Sequence, residues 1–207
     1  MALPDKSMDA RILNSAKREF LTKPYEQVSL REVCKQADAT TGALYNRYKN
    51  KEELFEAVVA PTLGFLKTFS DGTEQASYEK LNSETVEQSW WTVSPDTIKG
   101  IMTALYEHKD GIRILLCRAD GTKYANFLHD FVSDIARRSL RFEKAAYEKG
   151  AASQTVDETE LHMLLTAYWS TLFEPVIHDL PLERALIHCE IVAKLFDWSI
   201  VFGGGNR

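Results

Sequence analysis

Side chains that can hydrogen-bond to nucleic acid lie close together in the segment TTGALYNRYKNK. Asn46 and Arg47 carry donors that fit base edges or phosphates, and Tyr45 carries a hydroxyl that can reach a phosphate. Gly42 and Ala43 are small, so the backbone beside them can approach the floor of a DNA groove. The segment therefore predicts a surface that reads a DNA duplex.

Such a surface needs a helix that points these side chains in one direction. Thr40 or Thr41 supplies an N-cap for a short helix, in which Leu44 and Tyr48 are four residues apart and turn inward. Asn50 is expected to cap the next helix with Glu53 as its capping-box partner, and Lys51 in the first turn adds a cation beside amides that favour an anion. This pattern predicts a phosphate contact at Lys51.

Another short helix precedes the reading segment. Ser29 and Glu32 have the spacing of a capping box, in which each side chain bonds to a free amide of the other. Asp38 lies where the chain must turn sharply, and aspartate tolerates the left-handed conformation better than most residues. The inward face of this helix has a 3.6-residue period and consists of Leu30, Val33, Cys34 and Ala37. Residues 29–48 therefore predict two short helices around a tight turn.

Residues 8–60 resemble the N-terminal domain of the TetR family of bacterial transcriptional repressors, a three-helix, homeodomain-like domain that contains a helix-turn-helix. The resemblance rests on the LYxxY pattern at residues 44–48, the KNKEEL run at 49–54 and the segment 25–30. It also includes the apolar face of an approach helix, formed by Ile12, Leu13, Ala16 and Phe20.

The resemblance implies operator contacts at defined positions of this sequence. Asp38, Thr41 and the pair Asn46–Arg47 depart from the residues most common in the family, so the operator cannot be taken from a relative. The implied contact residues are Arg31, Thr40, Thr41, Gly42, Ala43, Tyr45, Asn46, Arg47 and Lys51. Leu44 and Tyr48 are instead expected in the core because of their helical spacing.

The chain has 207 residues, 44% of them hydrophobic, and a net charge of −5, which predicts more than one domain. Residues 1–60 contain ten Lys or Arg against nine Asp or Glu, so the acidity belongs to the remainder. DNA affinity is therefore expected from placed charges and two copies of the chain, with binding that weakens as salt rises. We expect a DNA-binding domain at 1–60, with its helix-turn-helix at 29–48, and a helical effector-binding and dimerisation domain at 61–207.

The three cysteines show neither CxxC spacing nor a disulfide framework, as expected in a reducing cytoplasm. No signal peptide or stretch of membrane-spanning length is recognisable, so we expect a soluble cytoplasmic protein without membrane contact. The five histidines lack metal-site spacing, and no nucleophile elbow or phosphate loop is present. The glycines at 203–205 are interpreted as a frayed tail. No enzyme activity, metal or cofactor is expected.

Beyond residue 60 the pattern remains helical, which predicts an all-α chain of about nine helices. Pro61 and Gly64 predict a kink, or an early end, in a helix from 51 to about 69, and a kink there could transmit a signal. Residues 71–94 are polar and predict a loop with one short helix. Further helices are expected at 95–108 and 109–116, and Thr122 is expected to cap a long helix that ends before Gly150.

The last two helices, at about 157–178 and 181–202, have the broadest apolar surfaces. In the second, Ile187, Ile191, Leu195 and Trp198 extend the apolar face around the cylinder, so it needs a second burial partner. The resemblance implies that these two helices pair with their copies in a homodimer. Two reading helices would then meet half-sites about one DNA turn apart, which predicts a pseudo-palindromic operator.

The resemblance also implies a small-molecule effector pocket in the second domain. Its candidate lining is mainly aromatic, which suits a flat or apolar effector, although a plain core or an empty pocket explains the same residues. The candidates are Phe65, Phe69, Met102, Tyr106, Tyr124, Phe127, His129, Tyr168 and Trp169.

The sequence favours a dimeric repressor that leaves its operator when an effector binds. An alternative is an effector-independent DNA-binding or partner-binding protein whose second domain only dimerises. A third hypothesis, a small-molecule enzyme on a helical bundle, lacks a supporting group of residues. Repression is less strongly indicated than DNA binding, because some relatives in the family activate.

Overall fold

The computed structural model describes residues 6–82, 91 and 93–203. Across these residues it contains ten α-helices, one short 3-10 helix and no strand, which confirms the predicted all-α fold. In chain order the helices are α1 (Lys6–Thr22), α2 (Leu30–Gln36), α3 (Thr41–Tyr45), α4 (Lys51–Asn82), α5 (Pro95–Glu107), α6 (Lys109–Cys117), α7 (Phe127–Glu148), α8 (Glu158–Ile177), α9 (Leu182–Leu195) and α10 (Trp198–Phe202), with the 3-10 helix Tyr25–Gln27 between α1 and α2.

The chain divides into two compact units. One comprises Met1–Phe65 and His108–Phe127, and the other comprises Leu66–Glu107 and Leu128–Arg207. The first unit therefore contains α1 to α3, the beginning of α4, and α6. The segment around α6 belongs to this unit although it follows α5 in sequence.

The core of the first unit is built where α1, α2, α3 and α4 meet. Ile12, Phe20, Leu44 and Phe55 are completely buried there. The rings of Phe20 and Phe55 pack edge to face, with centroids 5.0 Å apart, a favourable arrangement for aromatic pairs. The helical spacing of Ile12, Ala16 and Phe20 thus marks the face of α1 that supports the helix-turn-helix.

Polar contacts join the segment around α6 to α1 and to the 3-10 helix that follows it. The amide of Tyr25 donates to the carbonyl of Arg118 at 3.2 Å, and Lys17 pairs with Asp110 at 3.0 Å. α6 also crosses α4 closely within this unit, since a Cβ atom built on Gly111 would lie 1.9 Å from Oγ1 of Thr62. This crossing requires glycine because a larger side chain would overlap Thr62.

The predicted end of the fourth helix near residue 69 is wrong, and so is the predicted loop where it covers residues 71–82. α4 continues through Pro61 to Asn82, while 83–90 and 92 lie outside the described residues. The polar final turns are held by charges rather than by an apolar stripe. Arg138 of α7 pairs with Asp71 at 2.9 Å and with Glu74 at 2.7 Å, and Lys149 donates to the side chain of Asn82 at 2.6 Å.

Two boundaries in the second half also differ from prediction. The long helix α7 begins at Phe127 rather than at Thr122, because the hydroxyl of Thr122 closes a turn by donating to the carbonyl of Ala119 at 2.7 Å. The predicted last helix is broken after Leu195, where Asp197 caps the separate helix α10 by accepting from the amide of Ser199 at 3.0 Å.

In the second unit, α5 packs on α8 and α9. Its Tyr106 hydroxyl donates to the carbonyl of Leu180 at 2.8 Å and lies 3.3 Å from that of Pro175, so it ties α5 to the turn between α8 and α9. Burial, with a smaller contribution from Asp179, raises the pKa of Tyr106. Within the described part of the chain, no helix has the length and apolar character needed to cross a membrane.

Candidate nucleic-acid interface

The turn before α3 adopts the predicted geometry. Asp38 has a positive φ of 48°, the left-handed conformation expected at this position. Thr40 is the N-cap of α3, and its hydroxyl accepts from the amide of Ala43 at 3.1 Å. Of the two threonines that could cap this helix, Thr40 therefore does so, and Thr41 is left at the exposed first position of α3.

The predicted capping box at Ser29 does not form. Ser29 is the N-cap of α2 by position, but its side chain makes no capping hydrogen bond. The box at α4 forms only in part. The amide of Glu53 donates to the side-chain oxygen of Asn50 at 2.8 Å, whereas the carboxylate of Glu53 accepts from the amide of Lys49 at 2.6 Å. The reciprocal bond is thus shifted by one residue toward the loop.

A buried polar network attaches α2 to α1. The hydroxyl of Ser15 donates to the carbonyl of Val33 at 2.9 Å. Gln36 and Lys23 each donate to a different oxygen of Glu19, both at 2.6 Å. The hydrogen bond from Lys23, followed by the one from Gln36, lowers the pKa of the Glu19 carboxyl against the opposing effect of burial.

This network was not predicted, although the sequence contains a signal for it. Ser15 and Glu19 are four residues apart and lie beside Ile12 and Ala16, so they share the buried face of α1. Buried polar side chains need hydrogen-bond partners, and here α2 supplies them. The network fixes the position of α2, which in turn positions α3.

Six of the nine predicted contact residues are exposed and accessible to a ligand. The aromatic side chain among them, Tyr45, is 54% exposed, whereas Leu44 is fully buried and anchors α3 from behind. The exposed set is Arg31, Thr41, Gly42, Tyr45 and Asn46, with Thr40 exposed at the cap and Ala43 half-buried.

Arg47 is engaged within the protein. Its guanidinium pairs with the carboxylate of Asp9 on α1, and it also donates to the carbonyl of Ala43 at 3.0 Å. These contacts leave the side chain half-buried. To contact DNA through the same atoms, Arg47 would have to exchange Asp9 for a base edge or a phosphate.

Lys51 is engaged even more completely. Its ammonium donates to the carbonyls of Tyr25, Glu26 and Val28 at 2.8, 3.1 and 3.3 Å, and it lies 4.5 Å from the ring centroid of Tyr25. An ammonium has three N–H donors, so these three acceptors account for all of them. Burial lowers the pKa of Lys51, and the nearby Glu26 opposes that shift.

The nine residues predicted for an effector pocket are divided between the two units. Phe65, Tyr124 and Phe127 belong to the first unit, where Phe65 stacks on His108 and Tyr124 packs against Phe55. The other six lie in the second unit. The prediction could not separate the two sets, because helical spacing identifies buried faces but not their neighbours.

Within the second unit, Phe69 and Trp169 pack edge to face and line a cavity of about 110 Å³. Met102 and Tyr168 are core residues, and burial raises the pKa of Tyr168. His129 lies against His162, with ring centroids 4.9 Å apart. In the ranges that the structure describes, no group of His, Cys, Asp or Glu is arranged to hold a metal ion.

Comparison with known proteins gives a family match over the region that contains the candidate interface. The family model described as "Bacterial regulatory proteins, tetR family" matches residues 12–58, which include α1, α2, α3 and the start of α4. No match was found among curated protein sequences.

Solved structures share the fold of nearly the whole chain. A putative fatty acid metabolism regulator from Clostridium perfringens has a TM-score of 0.59 at 19% identity, covering 95% of this chain and 100% of its own. A TetR-like regulator from Rhodococcus sp. RHA1 has a TM-score of 0.59 at 14% identity, covering 93% of this chain and 97% of its own. NalD, the secondary repressor of the MexAB-OprM multidrug efflux pump in Pseudomonas aeruginosa, has a TM-score of 0.55 at 17% identity, covering 92% of this chain and 95% of its own.

At these identities the solved structures establish the all-α fold, while the family model accounts for the helix-turn-helix and its supporting helices. The exposed face of α3 lies inside the matched residues. Residues 12–58 thus match the model of the tetR family of bacterial regulatory proteins, and nearly the whole chain has the all-α fold of the solved TetR-like structures.

Proposed function

We propose that the protein is a sequence-specific transcriptional repressor of the bacterial cytoplasm, which binds a pseudo-palindromic operator as a homodimer and leaves it when a small molecule binds. The observation that carries this proposal is the asymmetry of α3. Thr41, Gly42, Tyr45 and Asn46 face solvent while Leu44 is buried. A short helix with small residues at its exposed beginning and donors farther along suits the major groove.

The proposed contact set contains residues with different roles. Arg31, Thr41, Gly42, Tyr45 and Asn46 contact DNA directly, since their side chains or backbone are exposed in the free protein. Thr40 fixes the start of α3 as its N-cap. Ala43 is small and so allows α3 to approach the floor of the groove. Arg47 reaches DNA by exchanging Asp9 for a DNA acceptor, and the loss of the Asp9 contact offsets part of the energy gained from that new contact.

For Lys51 we propose a positioning role in place of the phosphate contact. Its three carbonyl partners join the segment at Tyr25, Glu26 and Val28 to the first turn of α4. A phosphate at Lys51 would have to compete with all three. The lysine thus holds the residues that lead into the helix-turn-helix.

Dimerisation through α8 and α9 is supported by apolar side chains that the single chain leaves in water. Ile187, Ile191 and Leu195 recur every four residues on α9 and are 57%, 54% and 70% exposed. Met163 and Leu164 of α8 are exposed as well. A cavity of about 400 Å³ lies at Ile187 and Ile191, and its lining also includes Pro175, Leu180 and His188. An apolar strip with an adjacent groove suits a second copy of the same two helices.

Two bound copies would place two α3 helices on half-sites about one DNA turn apart, roughly 34–36 Å. A small molecule that binds more tightly to a form with another spacing would shift the population away from the operator. NalD, which shares the fold, is described as a repressor, which is the reason that repression is proposed here ahead of activation.

The test begins with selection of bound sequences from random duplex DNA. An enriched palindrome, occupied by two protomers, is the expected result. The operator obtained in this way then serves in fluorescence anisotropy with Asn46→Ala and Arg47→Ala. Each variant should weaken binding by about 1–3 kcal/mol and relax preference at one base position. Lys35→Ala is the matched control, because Lys35 lies on the exposed side of α2 outside the contact set.

The exchange proposed for Arg47 has its own variant. Asp9→Asn weakens the internal partner, so it should tighten operator binding if Arg47 contacts DNA. No enriched sequence at low salt would overturn the proposed function. Equal losses for Asn46→Ala, Arg47→Ala and Lys35→Ala would instead refute the assignment of the reading face.

A further inference from the structure

A cavity of about 270 Å³ lies in the second unit, among α4, α7, α8 and α10. Its walls are largely aromatic and aliphatic, and none of the nine residues predicted for an effector pocket lines it. The ring of Trp91 packs against Phe142 and Phe202 with centroids 5.7 and 4.7 Å apart, and Trp198 stacks on Phe202 at 6.3 Å. These four rings form an aromatic wall with Leu161 and Leu165 nearby.

One lining residue does not match an apolar cavity. Glu143 of α7 is 2% exposed, and its Oε2 atom has no hydrogen-bond partner among the described residues. A hydrogen bond from the amide of Val156 serves the carboxyl group. A buried carboxyl oxygen without a donor is costly, and such groups in native proteins call for an explanation.

The aromatic wall and the carboxyl group specify a ligand class together. Ring faces attract cations through their quadrupole, and a carboxylate oxygen without a donor accepts from an N–H group. An anion would be repelled by Glu143, and an uncharged alcohol would use the carboxyl group but would lack the positive charge that a carboxylate and a ring face attract. Lys80 also lines the cavity, and burial is the larger influence on the pKa of Glu143, opposed by the hydrogen bond from the Val156 amide.

We propose that this cavity binds a small amphipathic amine, whose ammonium group donates to Oε2 of Glu143 while its apolar body packs against Trp91, Phe142, Trp198 and Phe202. The cavity is slightly smaller than typical drug-sized sites of about 300–1,000 Å³, which favours a compact amine with one ring or a short chain. Binding of the amine stands without DNA binding. Its role as the effector rests on the proposed function.

Proton release provides an independent signature. Burial raises the pKa of Glu143 to about 7, so near neutral pH the carboxyl group is partly protonated. An ammonium ion pairs best with the carboxylate, so binding should displace that proton into the buffer. The heat of binding should therefore depend on the ionisation enthalpy of the buffer. The measurement is made near pH 6.5, about half a unit below the shifted pKa, where much of the carboxyl group is still protonated.

The experiment compares three compounds of similar shape by isothermal titration calorimetry on the full chain: phenethylamine, phenethyl alcohol and phenylacetate. Wild-type protein should prefer the amine over the alcohol by about tenfold or more and should not bind phenylacetate. Glu143→Gln should remove that preference together with the proton release. Glu148→Gln is the matched control, because Glu148 is an exposed carboxylate on the same helix, and it should behave as wild type.

Trp198→Leu tests the aromatic wall with Glu143 intact, and it should weaken the amine while the proton release persists. Equal affinities of the wild type for amine and alcohol, or no binding of phenethylamine at millimolar concentration, would overturn the proposal. The same protein samples are tested on the selected operator. Amine binding without sequence-specific DNA binding would support the amine site and refute the proposed function as a regulator. Operator binding without amine binding would support the proposed function and refute the amine site.

Discussion

The apolar strip on α9 offers the sharpest test of assembly. The double substitution Ile187→Ala and Ile191→Ala removes two side chains that are 57% and 54% exposed in the single chain. Because both are already half in water, the substitution should change the stability of the protomer far less than a core truncation would. Its effect should instead fall on any interface that covers them.

The expected size of that effect follows from burial. Complete burial of an isoleucine contributes about 1.5–3 kcal/mol, so the half that a partner would cover contributes about 1 kcal/mol per side chain. Two side chains on each of two protomers lose about 3–4 kcal/mol in total, since alanine retains one methyl group. That loss weakens the dimer on the order of 10²- to 10³-fold in Kd.

Sedimentation equilibrium over a dilution series measures this change, with the 23.5 kDa protomer as the reference mass. Tyr147→Ala is the control, because Tyr147 is a large side chain on α7 that is 52% exposed and lies outside the strip. The control should dissociate at the wild-type concentration. A double variant that also dissociates at the wild-type concentration would refute the assignment of the interface to α9.

Three further outcomes are expected from single substitutions. Lys51→Ala should lower the melting temperature and leave the salt dependence of DNA binding unchanged, whereas a phosphate contact would lower the salt slope by about one without the loss of stability. Gly111→Ala should destabilise the protein by about 1–3 kcal/mol in urea titrations, because the added methyl would overlap Thr62, and Gly100→Ala, which meets no atom within 4 Å, serves as its control. Burial raises the pKa of Glu143 to about 7 from 4.5, so its contribution to stability is complete below the lower value and is lost as pH rises through about 7. The unfolding free energy of Glu143→Gln, relative to that of the wild type, should therefore rise by about 1–3 kcal/mol as the pH increases from about 5 to about 8.5. A difference in unfolding free energy that does not change with pH would contradict this reasoning.

Local patterns in the sequence predict the helix-turn-helix well because its determinants are short-range. The cap at Thr40, the left-handed Asp38 and the buried Leu44 each depend on neighbours within a few residues. The same holds for the amphipathic faces of α5 and α8, which identify their buried sides without knowledge of their partners.

Predicted helix boundaries were wrong where they depend on contacts that leave no trace in the helical period. The polar end of α4 is helical because Arg138 and Lys149 of α7 supply its counter-charges, and α7 begins late because Thr122 closes a turn. No local period records either contact. Sequence spacing also assigned Lys51 to DNA, while the fold brings three carbonyl acceptors to its ammonium.

Glu143 illustrates both what the helical period predicts and what only tertiary packing decides. Its spacing from Val132, Ala136 and Ala146 places it on the buried stripe of α7, and a carboxyl group on such a stripe is visible in the sequence. Apart from Phe142, the rings that line the same cavity come from Trp91 and α10, far away in the chain. Periodicity therefore determined which residues turn inward, because it is a property of one helix, whereas only tertiary packing decided which inward residues meet and leave a cavity between them.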